Sequence, residues 1–214
     1  MTEGGLRERK RTAAMYRIQT VALGLFEQRG FDDVTVEEIA EASDVSPSSI
    51  YRYFGTKEEL VLWDEFDPGM GVLLSAALSD AVPLDGIRRV MMDGIEGMAP
   101  ADEQRLIRRL RLAATSPSLQ QAAVARSYLF AEMVEQALAQ QLGRPVDDLE
   151  VQVFSHALIG GLLGMLHHWQ GTDFGTPLTE VLGRTFIIFE EGLDIVSAVA
   201  PTVTSTPAEA GADG

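Results

Sequence analysis

Two helix starts only eleven residues apart, at Thr35 and Ser46, constrain this chain more than any other feature of it. Thr35-Val36-Glu37-Glu38 is a capping box, in which Thr35 accepts from the backbone amide three residues on and Glu38 reaches back to the amide of Thr35. Ser46-Pro47 pairs a hydroxyl cap with proline at the first helical position, where a missing N–H costs nothing. A helix opened at Thr35 must therefore end near Ala42 and turn through Ser43-Asp44 within about three residues. Upstream, Ile18, Val21, Ala22, Leu25 and Phe26 recur at the three-and-four spacing of an amphipathic helix over about residues 8–29, and Gly30 supplies the stop. Thr56-Lys57-Glu58-Glu59 is a further capping box, predicting a fourth helix to about Ser79 that Pro68-Gly69 could break or kink.

Beyond Pro83 the pattern stays helical, over residues 85–98, 102–114, 118–142, 147–170 and 177–198, separated by Pro100, Pro117, Gly143 to Pro145 and Gly171 to Pro177. No strand and no internal repeat is read, so the expected class is all-α. Residues 199–214, rich in Ala, Thr, Pro and Gly, hold too few large apolar groups to offset ordering and are expected to be disordered. Near residue 60 the short capped helices give way to longer, more apolar ones. The expected division is an N-terminal arm and three-helix unit over 1–57, a larger helical domain over 58–198 and the tail.

A formal charge of −15 argues at first against a nucleic-acid partner, since affinity for phosphate comes from Lys and Arg. Residues 1–60 hold 8 basic and 11 acidic side chains, so only −3 of that charge falls there and −12 on the remainder. Arg7, Arg9, Lys10 and Arg11 cluster, whereas Glu37, Glu38 and Glu41 fall on another helix, and local fields then outweigh the total. No stretch approaches about 18 uninterrupted apolar residues, and no apolar signal core follows the polar start. A soluble, cytoplasmic protein without a membrane partner is expected. The absence of cysteine excludes disulfides and thiolate metal sites.

Two short helices joined by a tight turn and braced by a longer one are the elements of a helix-turn-helix, whose second short helix enters the major groove of DNA. Ser46 to Tyr53 place hydroxyls, an arginine and two tyrosines on that helix, groups suited to base edges and phosphates. The run Arg17-Ile18, Ala22, Leu25-Phe26, Gly30-Phe31, Thr35 to Ala40, Val45-Ser46, Ile50 to Phe54 and Lys57 to Leu60 resembles the N-terminal signature of the TetR family. In that reading Ile39, Ala40, Val45, Ile50 and Phe54 fill a small core. The resemblance implies that Thr35 and Lys57 touch phosphates, as helix starts favour. It implies that Tyr51 and Tyr53 pack on the DNA backbone, and that Ser46, Pro47, Ser48, Ser49 and Arg52 face the operator. Tyr51 could instead be a staple against the first helix, Arg52 a solvated cation, and Arg17 either phosphate-directed or paired with a carboxylate. Ser43-Asp44 stands where many relatives have Ala-Gly, a left-handed turn that Asp tolerates. Where many relatives carry an early recognition-helix lysine, this chain has Pro47 and serines, which moves phosphate contacts toward Lys57 and the arm at Arg7 to Arg11.

The later helices carry many large apolar groups, and the family reading places Trp63, Phe66, Met70, Met92, Tyr128, Met133, Phe154 and Trp169 around a cavity for a small apolar effector. Ordinary core is the competing reading for each. Ala157, Gly160, Gly161 and Gly164 have the small-residue spacing that admits a second helix, and the resemblance pairs them with Leu182, Phe186 and Phe189 in a homodimer interface. Arg105, Arg108, Arg109 and Arg111 are either a solvated face or a seat for the phosphates of an acyl-coenzyme-A. Gly55 to Asp67 and Leu112 to Pro117 are similar to the mycofactocin-regulator branch, which has such an effector domain. No Gly-rich phosphate loop, nucleophile elbow or metal-spaced His set is present, so neither catalysis, metal nor cofactor is expected. The expected function is a repressor released from a palindromic operator in double-stranded DNA by its effector, with the fourth helix as the lever. The rival is a dimeric helical interaction module that binds no DNA.

Overall fold

The computed structural model describes residues 3–64, 70–78 and 82–192, and every element among them is an α-helix. They are α1 (Glu3–Arg29), α2 (Val36–Ala42), α3 (Pro47–Phe54), α4 (Glu59–Leu62), α5 (Met70–Leu78), α6 (Pro83–Glu96), α7 (Pro100–Ala113), α8 (Pro117–Leu142), α9 (Leu149–Gly171) and α10 (Leu178–Glu190). Expected tail residues 199–214 lie outside the described residues, as does the expected last part of α10, which ends by Glu190. Pro83, Pro100 and Pro117 open α6, α7 and α8 rather than separating them, because a fixed φ suits the first helical position. The start of α1 lies five residues before the expected one, since Gly4-Gly5 weakens a helix without ending it.

The chain builds two cores. Ile18, Ala22, Leu23 and Phe26 of α1 meet Ile39 and Ala40 of α2, Ile50 and Phe54 of α3 and Leu60 and Val61 of α4, with Leu112 and Leu119 of α7 and α8 closing the far side. Of the five expected core residues Ile39, Ala40, Ile50 and Phe54 are buried, and Val45 packs at the edge. The second core gathers α5, α6, α8, α9 and α10 around Trp169, Leu182 and Phe186. Gly30 ends α1 at φ +91°, a conformation L side chains rarely adopt, and lets Phe31 fold back on Phe26 with ring centroids 4.9 Å apart.

The fourth helix is the main departure from expectation. It stops at Leu62, before Pro68 is reached, and Trp63 adopts ψ 134°. A continuing helix would offer the carbonyls of Val61 and Leu62 to amides four residues on. Both instead accept from Arg109 of α7, at 2.8 Å each. The Trp63 indole turns into the first core, edge-on to Phe54 at 6.0 Å, while its carbonyl accepts from Gln19 at 2.9 Å. The single helix expected over Thr56 to Ser79 is therefore two, α4 and α5.

Candidate nucleic-acid interface

The starts of α2 and α3 and the turn between them are set by the local chemistry that announced them. Thr35 Oγ1 accepts from Glu38 N at 3.2 Å, and Glu38 Oε2 accepts from Thr35 N at 2.8 Å. Arg29 donates to Glu38 Oε1 at 2.8 Å, so the backbone N–H of Thr35 first and Arg29 second hold the Glu38 carboxyl down at about 2. Asp44, at φ 54°, makes the left-handed turn that leads to Val45. Ser46 then caps α3, accepting from Ser49 N at 3.2 Å.

On α3 the buried side carries Ile50 and Phe54, and the open side carries the expected reading row. The Ser46 hydroxyl lies 2.9 Å from those of both Ser48 and Ser49, and Arg52 donates to Ser49 at 3.2 Å while its guanidinium sits 5.1 Å from the Tyr53 ring centroid. Arg52 is thus exposed yet held in place. Tyr51 is 50% exposed, whereas Tyr53 packs on the first core. Pro47 is half-buried at the start of α3, and Thr35 and Arg17 are exposed. Lys57 places its ammonium 4.4 Å from the centroid of Phe31 and 5.8 Å from that of Phe26, a cation–π seat at the border of the reading head. Thr35, the Ser46 to Arg52 row and Lys57 together offer hydroxyls, a phenol and two cations on one small three-helix platform.

The arginines of α7 divide: Arg105 and Arg109 are turned inward, whereas Arg108 and Arg111 form ion pairs at the surface. Arg108 grips Glu27 of α1 through both carboxylate oxygens, at 2.6 and 2.8 Å. That bond raises its pKa further. Arg105 lies 3.6 Å over the Tyr16 ring and bonds Asp102, which also accepts from the Tyr16 hydroxyl at 3.0 Å. Burial first, and the neighbouring Arg109 charge second, lower the Arg105 pKa to about 10. Arg111 reaches Asp173 in the turn between α9 and α10. Tyr16, Gln19 and Arg126 were not among the expected functional residues, and no local signal marks them, because their partners lie 44 to 86 positions away.

Comparison with known proteins agrees with this geometry. A family model described as bacterial regulatory proteins of the tetR family matches residues 18–62, and one described as the MftR C-terminal domain matches residues 81–194. The chain belongs to the TetR family. It is 27% identical over 189 residues, 87% of this chain and 94% of the relative, to the protein assigned as the mycofactocin biosynthesis transcriptional regulator MftR of Mycobacterium tuberculosis. The regulator TcmR of Streptomyces glaucescens is 43% identical over 58 residues, 27% of this chain and 26% of the relative. Among solved structures, NalD of Pseudomonas aeruginosa, the secondary repressor of a multidrug efflux pump, superposes with a TM-score of 0.55 at 19% identity, covering 84% of this chain and 95% of that one. Thermus thermophilus FadR, solved with lauroyl-CoA, superposes with a TM-score of 0.54 at 22% identity, covering 87% and 98%. These two establish the fold. The chain is accordingly a TetR-family transcription regulator, with a helix-turn-helix and an MftR-type C-terminal domain.

In that domain the described residues expected around an effector divide between the two cores and the surface. Trp63 belongs to the first core and Trp169 to the second, where its indole N–H donates to Thr176 O at 2.7 Å. Tyr128 is 58% exposed on α8, lining an open groove of about 270 Å³ between α8 and α9 with Val124, His156, Ile159 and Leu163. Met92, Met133 and Phe154 are each half-buried against the second core. Phe66 lies outside the described residues, as does the side chain of Met70.

The expected dimer residues divide likewise. Ala157, Gly160 and Gly164 form an exposed stripe on α9. Gly161 does not join it, because Phe189 of α10 in the same chain fills the space its side chain would need. Leu182 and Phe186 are fully buried within the subunit and have no surface to offer a second copy. Leu163 on α9 and Ile187 and Ile188 on α10 are large apolar residues that remain exposed. By length and composition α9 could cross a membrane, with a mean hydropathy of 1.5 over its most apolar window, although its glycines, histidines and glutamine interrupt the apolar run. Val153, Ala157, Gly160, Leu163 and Gly164 are exposed along α9, together with His156, His167 and His168.

Proposed function

We propose that this regulator works as a homodimeric repressor in the cytoplasm, binding a palindromic operator and leaving it when a small apolar effector occupies the C-terminal domain. The row Ser48, Tyr51 and Arg52, flanked by Thr35 and Lys57, carries the reading. It puts direct-readout groups and phosphate-seeking helix starts on one exposed platform. Residues 1–57 would then read DNA and residues 58–198 would bind effector and dimerise. The uncovered α9 face supports a second copy as its partner, since two reading heads related by two-fold symmetry suit a palindrome.

Met92, Met133 and Phe154 are the described residues best placed to meet the effector, because half-buried methionines adapt to apolar shapes. An acyl-coenzyme-A is one candidate class, supported by the likeness to the FadR fold, but its phosphates would need cations other than Arg105 and Arg109, which are engaged inside the fold. Effector and operator must weaken each other's binding by the same factor. Selection of bound sequences from random duplex DNA with purified protein, alongside a Tyr51→Ala, Lys57→Ala control, tests the reading. A two-fold symmetric motif lost in the control is the expected result. No enrichment at any salt concentration would leave the dimeric interaction module as the better description.

A further inference from the structure

We infer that Arg109 of α7 and Arg126 of α8 are positioning residues for the phosphate contact at Lys57, because they grip α4 at its two ends. The inference rests on the DNA reading above. A helix of four residues has no stability of its own, so α4 is held by what touches it. Its inner side is held by buried Leu60 and Val61. At its start, Thr56 Oγ1 accepts from Glu59 N at 3.3 Å, which is one half of the capping box. The other half is missing its usual partner: Glu59 accepts from Arg126 Nη1 at 2.7 Å. At its end, Arg109 spends its whole planar fork, with Nε on Val61 O, Nη2 on Leu62 O and Nη1 on Asp64, the last at 2.7 Å. These are charge-assisted bonds, and Arg109 and Arg126 expose only 13% and 20% of their side chains.

Lys57 is tied to the same turn. Its carbonyl accepts from Leu60 N at 3.1 Å, and that of Glu58 accepts from Leu62 N at 3.0 Å, so displacement of α4 carries the Lys57 backbone with it. The ammonium is meanwhile set against the Phe31 ring. Both grips come from helices of the effector-side body, and neither arginine lies on the reading row. Movement of α7 or α8 would reach Lys57 without any direct contact.

The full-length chain tests this with Arg109→Ala, Arg109→Lys, Arg126→Ala and Lys57→Ala, each checked for native helical content by circular dichroism. The first readout, amide hydrogen exchange of the free protein, needs no DNA. Arg109→Ala and Arg126→Ala should each speed exchange over residues 56–64 by about tenfold while α2 and α3 keep their protection. Arg109→Lys should not restore it, since an ammonium cannot serve three acceptors in one plane. The second readout is the salt dependence of binding to a labelled duplex carrying the selected operator. Lys57→Ala should lower the slope of log affinity against log salt by about 1. Arg109→Ala should lower it by the same amount, with no further loss in the double variant. Unchanged exchange over 56–64, or an affinity loss in Arg109→Ala with the wild-type slope, overturns the inference. Failure of the wild-type chain to bind any duplex sinks the DNA reading and the role of Lys57 with it, while exchange still reports on the grip itself.

Discussion

Glu38 shows how one side chain can serve several ends, closing the capping box and receiving Arg29. Its folded pKa of about 2 lies below the ordinary 4.5, so the stability it contributes is complete above about 4.5 and is lost as the pH falls toward 2. Glu38→Gln should therefore lower the urea midpoint at neutral pH, and the gap from wild type should close across that acid window. A gap independent of pH would show that charge is not what matters there. Asp44 supplies a second residue-scale prediction, because its φ of 54° suits Asp, Asn or Gly and opposes branched side chains. Asp44→Gly should stay within about 1 kcal/mol of wild type, while Asp44→Val should lose roughly 1–3 kcal/mol, both read by chemical unfolding. Thr35, Glu38, Ser46 and Asp44 were legible in the sequence because their partners lie within three or four positions along the chain.

At the scale of elements, α3 depends on its Ser46 cap, which also orders the hydroxyls of the reading row. Ser46→Ala should cost about 1 kcal/mol in thermal or urea unfolding, with a further loss of operator affinity from the loosened Ser48 and Ser49. An unfolding cost with operator affinity untouched would separate the cap from recognition. The contact between α9 and α10 is equally specific. Gly161→Val should destabilise the fold by roughly 1–3 kcal/mol through collision with Phe189. Phe189→Ala should recover part of that in the double variant, and strict additivity in the unfolding measurements would refute the contact. Helix α4 shows where local signals stop being sufficient. Its start is written in Thr56, but its end is set by Arg109, a residue 47 positions beyond Leu62.

For the molecule as a whole, the uncovered face of α9 makes the sharpest demand. Leu163→Asp and Gly160→Arg, both on exposed positions, should give a monomer by sedimentation without loss of folding, and should abolish binding to a palindrome while sparing weak half-site contact. Leu182→Ala, in the second core, should instead cost about 2–5 kcal/mol of stability and leave assembly to follow folding. A dimer that survives both surface changes would move the interface elsewhere. The same scale explains which expectations needed correction. Caps, turn residues and apolar spacing act over a few residues, so the sequence by itself determined the all-helical class, the two short helices with their turn, and which side of α3 is open. Whether α9's small residues face solvent or Phe189, whether Trp63 lines a cavity or fills the first core, and what the α7 arginines bind were decided only by the tertiary structure. Those outcomes depend on groups brought together from 28 positions apart, as Gly161 and Phe189 are, to as many as 86, as Tyr16 and Asp102 are. Periodicity along one helix says which face is apolar and carries no record of what will meet it.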